Sequence, residues 1–206
     1  MTLTLYSMPS SGNSYKVRLL LSLLGTPYTH VGMEYETAAL DQAHANNVLP
    51  LGKLPVLELE SGERIPESNA ILAYLAEGTP FMPTDRIERA RVLGWMFWEQ
   101  NRHETVIAVR AALSKYASRA HLATPDRMAE LLDAGHEVLS IMEDHLSESD
   151  WLVGERPTTA DISLYAYTHT AGSLGGFDMT RFPAINVWLA RIAALPGYVG
   201  LEDIPE

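Results

Sequence analysis

The chain has no cysteine in its 206 residues. This excludes disulfide exchange, a cysteine nucleophile and cysteine metal sites, and it fits a reducing compartment. Any thiol chemistry must therefore use a thiol borrowed from a substrate. Basic residues are scarce: 15 Lys plus Arg stand against 26 Asp plus Glu, a net charge of −11. The deficit holds throughout, with 4 bases and 8 acids in residues 1–84 and 11 and 18 in residues 85–206. Neither part is a basic module able to neutralise a phosphate backbone, which argues against nucleic acid as a partner. No apolar run approaches the roughly 20 residues that span a bilayer. The opening MTLTLYSMPSSGNSYK lacks the charged and long apolar regions of a secretory leader, so a cytoplasmic protein without a membrane partner is expected. The seven histidines (30, 44, 103, 121, 136, 145 and 169) include no i, i+3 or i, i+4 pair, and no metal site is expected. A P-loop is missing too, because Gly52-Lys53 has neither the upstream glycine nor the following hydroxyl. No serine sits in a nucleophile elbow, and Gly172, Gly175 and Gly176 read as a helix break, not a dinucleotide fingerprint.

The composition is that of an ordinary globular protein, with 47% hydrophobic and 20% charged residues. At a prior of about 150 residues per domain, one large or two modest domains are allowed. Patterning favours two. Alternation predicts short strands over Thr2–Tyr6 and Tyr28–Met33. Between them, Val17, Leu20, Leu21 and Leu24 mark a helix over Ser14–Leu24, stopped by Gly25 and Pro27. A weaker helix follows over residues 36–46. Pro55–Leu59 and Arg64–Ile65 read as a hairpin around Ser61-Gly62, and Ser68–Glu77 as a helix closed by Gly78 and Pro80. Beyond residue 84 the pattern is helical. Asp85–Ala120 contains no proline and one glycine, which predicts one very long helix or two abutting ones. Thr124-Pro125-Asp126 starts a helix running toward Leu146. Its eight acids and one base between residues 126 and 150 read as a solvated face. Thr158–Asp161 has capping-box spacing, and Pro183–Leu195 carries an apolar stripe of Ile185, Trp188, Leu189 and Ile192.

Loops, helix starts and polar residues converge in two places. The first is PSSGNSY, Pro9–Tyr15, where unpaired first-turn N–H groups and the helix dipole attract an anion or thiolate. The second combines Leu54-Pro55 with Glu67-Ser68. By spacing alone both are good capping sequences: Ser11, Asn13 and Ser14 all suit an N-cap, as does acid followed by serine.

Five segments, in order, resemble the cytosolic glutathione transferases over essentially the whole chain. LTLYSMPSSGNSYKVRLLLSLLG is similar to that family's first strand, active-site loop and first helix. LPLGKLPVLEL resembles the loop into its third strand, and ERIPESNAILAYLA the hairpin end and third helix. WLVGERPTTADISLY and FPAINVWLARIAALPGYV resemble the capped core helix and last helices of its helical domain. The resemblance implies an α/β thioredoxin-like N-terminal domain followed by an all-α domain, with residues 1–78 binding glutathione, a linker at 79–84 and helices over 85–206.

It also implies roles. Pro55 would be a cis-proline, and the backbone of Leu54 would pair with glutathione as with an extended peptide. Glu67 and Ser68 would receive the γ-glutamyl ammonium and carboxylate, with Lys53 near the glycyl carboxylate. Ser11 falls where serine-type members donate to the sulfur, so it is the expected catalytic residue. Asn13 occupies a position some bacterial members use for the same purpose, Ser10 is an outside candidate, and Tyr6 lies too early. The implied chemistry lowers the thiol pKa from about 8.5 and delivers the thiolate to a small hydrophobic electrophile or a peroxide, as in detoxification, from a homodimer. The acceptor is expected beside a helix face carrying Glu99, Arg102 and His103, while Trp95, Phe97 and Trp98 read as packing or dimer contacts. Two departures matter. Leu49 stands before Pro50 where many members have asparagine, and the missing cysteine closes the mixed-disulfide route. Ser10, Ser11, Val17 and Arg18 also resemble the maleylacetoacetate isomerase class, although Gly12-Asn13 departs from it. A non-catalytic, glutathione-binding regulatory relative is the alternative from another class.

Overall fold

The computed structural model describes residues 3–205. The first strand, β1, covers Thr4–Ser7; Thr2, its expected first residue, lies outside the described residues. Then come helix α1 (Gly12–Leu23), β2 (Thr29–Gly32), α2 (Ala38–Ala45), β3 (Val56–Glu58), β4 (Arg64–Pro66) and α3 (Ser68–Ala76). The strands form one sheet in the order β2-β1-β3-β4, with β1 parallel to β2 and the other pairs antiparallel. A parallel neighbour requires a crossover, which α1 supplies. This βαβαββα arrangement is the expected thioredoxin-like fold.

Strand alternation sorts the core. Leu5 and Leu57, opposite each other on β1 and β3, join Val17 and Leu21 of α1 and Ile71 of α3 in one fully buried cluster. One residue along, Val56 turns to the other face, where Met33, Ala43 and Leu49 pack with Tyr6 and Val31. Each such aliphatic contributes about 1.5–3 kcal/mol by leaving water, so a one-residue slip would reverse both faces of the strand. Gly62 closes the β3–β4 hairpin at φ +85°, donating its N–H to Leu59 O at 2.8 Å.

The remaining elements are helical: α4 (Arg86–Trp98), a π-turn (Glu99–His103), α5 (Glu104–Lys115), a 3₁₀ segment (Ala117–Leu122), α6 (Pro125–Glu148), α7 (Thr159–Thr168), a 3₁₀ turn (Met179–Arg181) and α8 (Pro183–Ala193). The expected long segment after Asp85 is thus two abutting helices joined by the π-turn. That turn buries Glu99 and His103 completely and leaves Arg102 exposed. The three residues therefore do not share the single face expected of them. Ser163 Oγ of α7 donates to Glu99 Oε2 at 3.3 Å, and Thr168 Oγ1 lies 2.9 Å from His103 Nε2.

The α7 capping box forms as its spacing predicts, Asp161 Oδ2 accepting from Thr158 N–H at 2.8 Å. Of the eight acids between residues 126 and 150, seven are exposed and Glu143, on α6, is half-buried. Both Glu143 oxygens accept first-turn amides of α8, from Ala184 and Ile185, at 2.9 Å each, so this carboxylate caps a positive helix end.

The chain divides into two compact units. One holds the residues up to Thr79 together with those from Ala194 on, and the other is Pro80–Ala193. The tail joins the first unit through α1. Ser22 Oγ donates to Gly197 O at 2.7 Å, Tyr15 Oη to Val199 O at 2.7 Å, and Arg18 Nη2 to Leu201 O at 2.9 Å. No described helix is long and apolar enough to cross a membrane.

Candidate functional site

The sheet register assembles the site. Tyr6 stands opposite Val56, and Val56 opposite Pro66. The chain leaving β1, the chain entering β3 and the chain leaving β4 therefore meet at one end of the sheet. These are the Pro9–Asn13 loop, Leu54-Pro55 and Glu67-Ser68. The Leu54–Pro55 peptide is cis, with Pro55 buried and Leu54 half-buried. Lys53, one residue earlier, is exposed on the same loop.

The loop after β1 is held from both sides. Ser14, fully buried, accepts from Met8 N–H at 2.9 Å, and Ser11 N–H donates to Met8 O at 3.1 Å. Arg18, buried from solvent, donates through Nη2 to Pro9 O at 3.0 Å and through Nη1 to Ser7 Oγ at 3.5 Å. Desolvation draws its pKa below the usual guanidinium value. His30 Nε2 lies 2.7 Å from the same Ser7 Oγ, and burial, then the Arg18 charge, depresses its pKa. Both effects favour neutral imidazole beside a guanidinium.

Ser11 is the N-cap of α1, its Oγ accepting from Ser14 N–H at 3.5 Å. Capping uses a lone pair of the hydroxyl and leaves its proton to donate elsewhere, so capping and thiol contact are compatible in this residue. Ser10 differs. Its Oγ donates to Glu34 Oε1 at 2.7 Å and its N–H to Oε2 at 3.1 Å, which commits the hydroxyl to the loop. Tyr6 reaches toward Glu58 at 3.5 Å, within an Arg64–Glu58 ion pair of 2.6 Å.

The two helix starts are joined directly. Ser68 Oγ, buried at the beginning of α3, donates to Asn13 Oδ1 at 3.1 Å. Beneath them Lys16, also fully buried, donates to Asn13 Oδ1 at 2.7 Å and toward Ser68 Oγ at 3.5 Å. Ser68 thus turns its hydroxyl inward, toward Asn13, so an anion at the start of α3 would meet the backbone amides first. Glu67 precedes it, exposed, with φ +69° and ψ 116°. A non-glycine residue held there is strained, and such strain gathers where geometry is constrained for binding.

The structure therefore brings together Ser11, Asn13, Leu54, Pro55, Glu67 and Ser68 at one sheet end, with Lys53 on the adjoining loop. Lys16 and Glu34 were not foreseen as parts of the site, Ser14 was expected only as an N-cap candidate, and Arg18 only as part of the isomerase-class resemblance. Lys16 had a legible signal, standing three residues after Asn13 on one helix face. Ser14, Arg18 and Glu34 hold the loop in part through its backbone groups, Met8 N–H, Pro9 O and Ser10 N–H, which no side-chain pattern reveals.

Comparison with known proteins agrees with this architecture. Residues 1–77 match the glutathione S-transferase N-terminal domain and residues 107–196 the C-terminal domain. A crystal structure of a glutathione S-transferase from Pseudomonas fluorescens Pf-5 is 40% identical, covers 98% of this chain and 99% of that one, and superposes with a TM-score of 0.91. The maleylacetoacetate isomerase of Rhizobium meliloti is 32% identical over 178 residues, 81% of this chain and 80% of that protein. A second Pseudomonas fluorescens family member, solved with two glutathione molecules bound, is 24% identical over 98% of this chain and 93% of that one, with a TM-score of 0.84, a likeness of fold. The chain belongs to the glutathione S-transferase family.

Proposed function

We propose that this protein binds glutathione at the sheet end described above, lowers the pKa of its thiol, and either transfers the thiolate to a small hydrophobic electrophile or reduces a peroxide, two glutathione thiols then giving the disulfide as O–O breaks. The observation that carries the reading is the Asn13–Ser68 hydrogen bond of 3.1 Å. It fixes two helix starts beside Leu54-Pro55, so that amides for a carboxylate and donors for a sulfur occupy one site. The glutathione-bound relative supports the choice of ligand.

In this reading the backbone of Leu54 pairs with the cysteinyl unit, and Glu67 and the α3 amides take the γ-glutamyl ammonium and carboxylate. Lys53 attracts the glycyl carboxylate. Glutathione supplies the thiol, whose proton leaves to solvent. Ser11 donates its hydroxyl proton as a hydrogen bond to the sulfur, with Asn13 assisting. A charge-assisted bond and a helix start together supply about the 1.4 kcal/mol that each unit of pKa depression requires. The homodimer, the detoxification role and the cytoplasmic location belong to the same proposal.

Calorimetric titration of glutathione, with thiolate absorbance followed across pH, tests binding and activation separately. The expected result is saturable binding with a lowered thiol pKa, and a loss of about a hundredfold in turnover for Ser11→Ala at unchanged affinity. Binding without a pKa shift would instead identify a regulatory, non-catalytic relative. Absence of binding would overturn the site. A second reading, glutathione-dependent isomerisation of maleylacetoacetate, is favoured by the likeness to the Rhizobium isomerase, and turnover of that substrate decides it.

A further inference from the structure

The orientation of the Asn13 carboxamide is decided by its neighbours. An ammonium group has donors and no acceptor, so the Asn13 atom 2.7 Å from Lys16 Nζ is the oxygen. Ser68 Oγ donates to that same oxygen at 3.1 Å. Lys16 is fully buried and Ser68 nearly so, while Asn13 is only half-buried. The oxygen is thus turned to the buried side, and the Nδ2 amino group belongs to the opposite, half-exposed side of the residue.

We propose that Lys16 is a positioning residue for thiol activation. By holding Asn13 Oδ1 it presents Nδ2–H to the sulfur, and its charge acts through the carboxamide, polarising that donor. The proposal rests on the glutathione reading above. In the step concerned, only the S–H bond breaks; its proton goes to solvent and the electron pair stays on sulfur. Lys16 keeps its proton and makes no bond to substrate. A polarised carboxamide is a better donor than an isolated one, since linked hydrogen bonds reinforce each other away from water. A lysine that merely tied α1 to α3 would affect stability and leave the thiol pKa unchanged.

The test is a pH titration of thiolate absorbance in the glutathione complex of wild type, Lys16→Met, Lys16→Arg, Asn13→Ala and the Lys16→Met/Asn13→Ala double variant. Lys16→Met is expected to bind glutathione within about threefold of wild type while raising the bound thiol's pKa by about one, roughly tenfold less thiolate at neutral pH. Lys16→Arg should recover much of the difference, and the double variant should be no worse than Asn13→Ala alone, because the two act in series. Should Lys16→Met fail to fold, Lys16→Gln removes the charge and retains a donor, and the same rise is expected. In either variant the Asn13 side-chain amide signals should shift in nitrogen–proton spectra without ligand. A thiol pKa equal to wild type in the folded variant, or an additive double variant, overturns the proposal alone. A wild type that does not bind glutathione overturns the functional reading and this proposal with it.

Discussion

Arg18 Nη2 donates to the carbonyl of Leu201 at 2.9 Å, and the same nitrogen reaches the carbonyl of Pro9 at 3.0 Å. One buried guanidinium therefore spans the C-terminal tail and the loop that leads to Ser11. Its cost of desolvation is offset in part by fixed carbonyl and hydroxyl oxygens, Ser7 Oγ being the third.

Removing that side chain takes this donor from two part-buried carbonyls and from the hydroxyl of buried Ser7. Arg18→Met is expected to lose about 2–4 kcal/mol of stability. Arg18→Lys should recover only part, since a point-like ammonium cannot span the acceptors that a planar fork reaches. Urea denaturation checks this through the midpoint at constant slope. A loss below about 1 kcal/mol for Arg18→Met would contradict the bridging role.

Gly135 tests packing in the helical unit. A Cβ at this position would overlap Cε1 and Cζ of the Phe177 ring and lie 3.3 Å from Ile107 Cδ1. Alanine in mid-helix ordinarily gains about 1 kcal/mol over glycine, but overpacking costs about 1–3 kcal/mol, and contacts this short make the clash prevail. Gly135→Ala should lower the Tm, and Phe177→Leu in the same chain should restore part of it. An Ala variant more stable than wild type would show that Phe177 moves freely.

Asp161 is fully buried and accepts four donors: Leu152 N–H at 3.0 Å, Thr158 N–H at 2.8 Å, Thr158 Oγ1 at 3.0 Å and Trp188 Nε1 at 2.9 Å. Burial raises its pKa, opposed by those hydrogen bonds. Asp161→Ala strands all four donors and is expected to cost about 3–5 kcal/mol. Asp161→Asn, keeping one carbonyl oxygen, should fall between it and wild type. Thermal unfolding of the pair gives the order, and equal losses would reduce the site to a simple steric fit.

Much of this was legible beforehand because it depends on local rules. The hairpin was announced by Ser61-Gly62, the α7 start by Thr158 and Asp161 at capping distance, and the α8 stripe by Ile185, Trp188 and Ile192. The π-turn was not, because Glu99–His103 reads as continuous helix and the burial of its two polar side chains against α7 is a tertiary feature that helical spacing does not carry. The return of the tail to α1 was equally hidden, since its anchors are the carbonyls of Gly197, Val199 and Leu201, which every sequence possesses. At the site, residue type marked Ser11, Asn13 and Ser68. Lys16 drew no reading, although it stands three residues after Asn13, because that spacing does not show that the side chain is buried.

His169 offers a test of pH dependence. Its ring lies flat on Tyr165, centroids 5.0 Å apart at 5°, and Nδ1 is 3.0 Å from the Tyr165 carbonyl, so Nδ1 carries the proton in the neutral form. Burial depresses its pKa below 6.5. The unfolded chain, titrating near 6.5, therefore takes up a proton that the folded chain refuses, and folding is favoured above that pH. This contribution is complete above about pH 6.5 and is lost as the pH falls toward the folded pKa, at no more than about 1.4 kcal/mol per pH unit for one proton. His30 and His136 are depressed as well, so the comparison must be between wild type and His169→Gln. Denaturation at pH 7.5 and pH 5.5 should show wild type losing more stability than the variant. Equal losses would mean that His169 is protonated in the folded chain as readily as in the unfolded one.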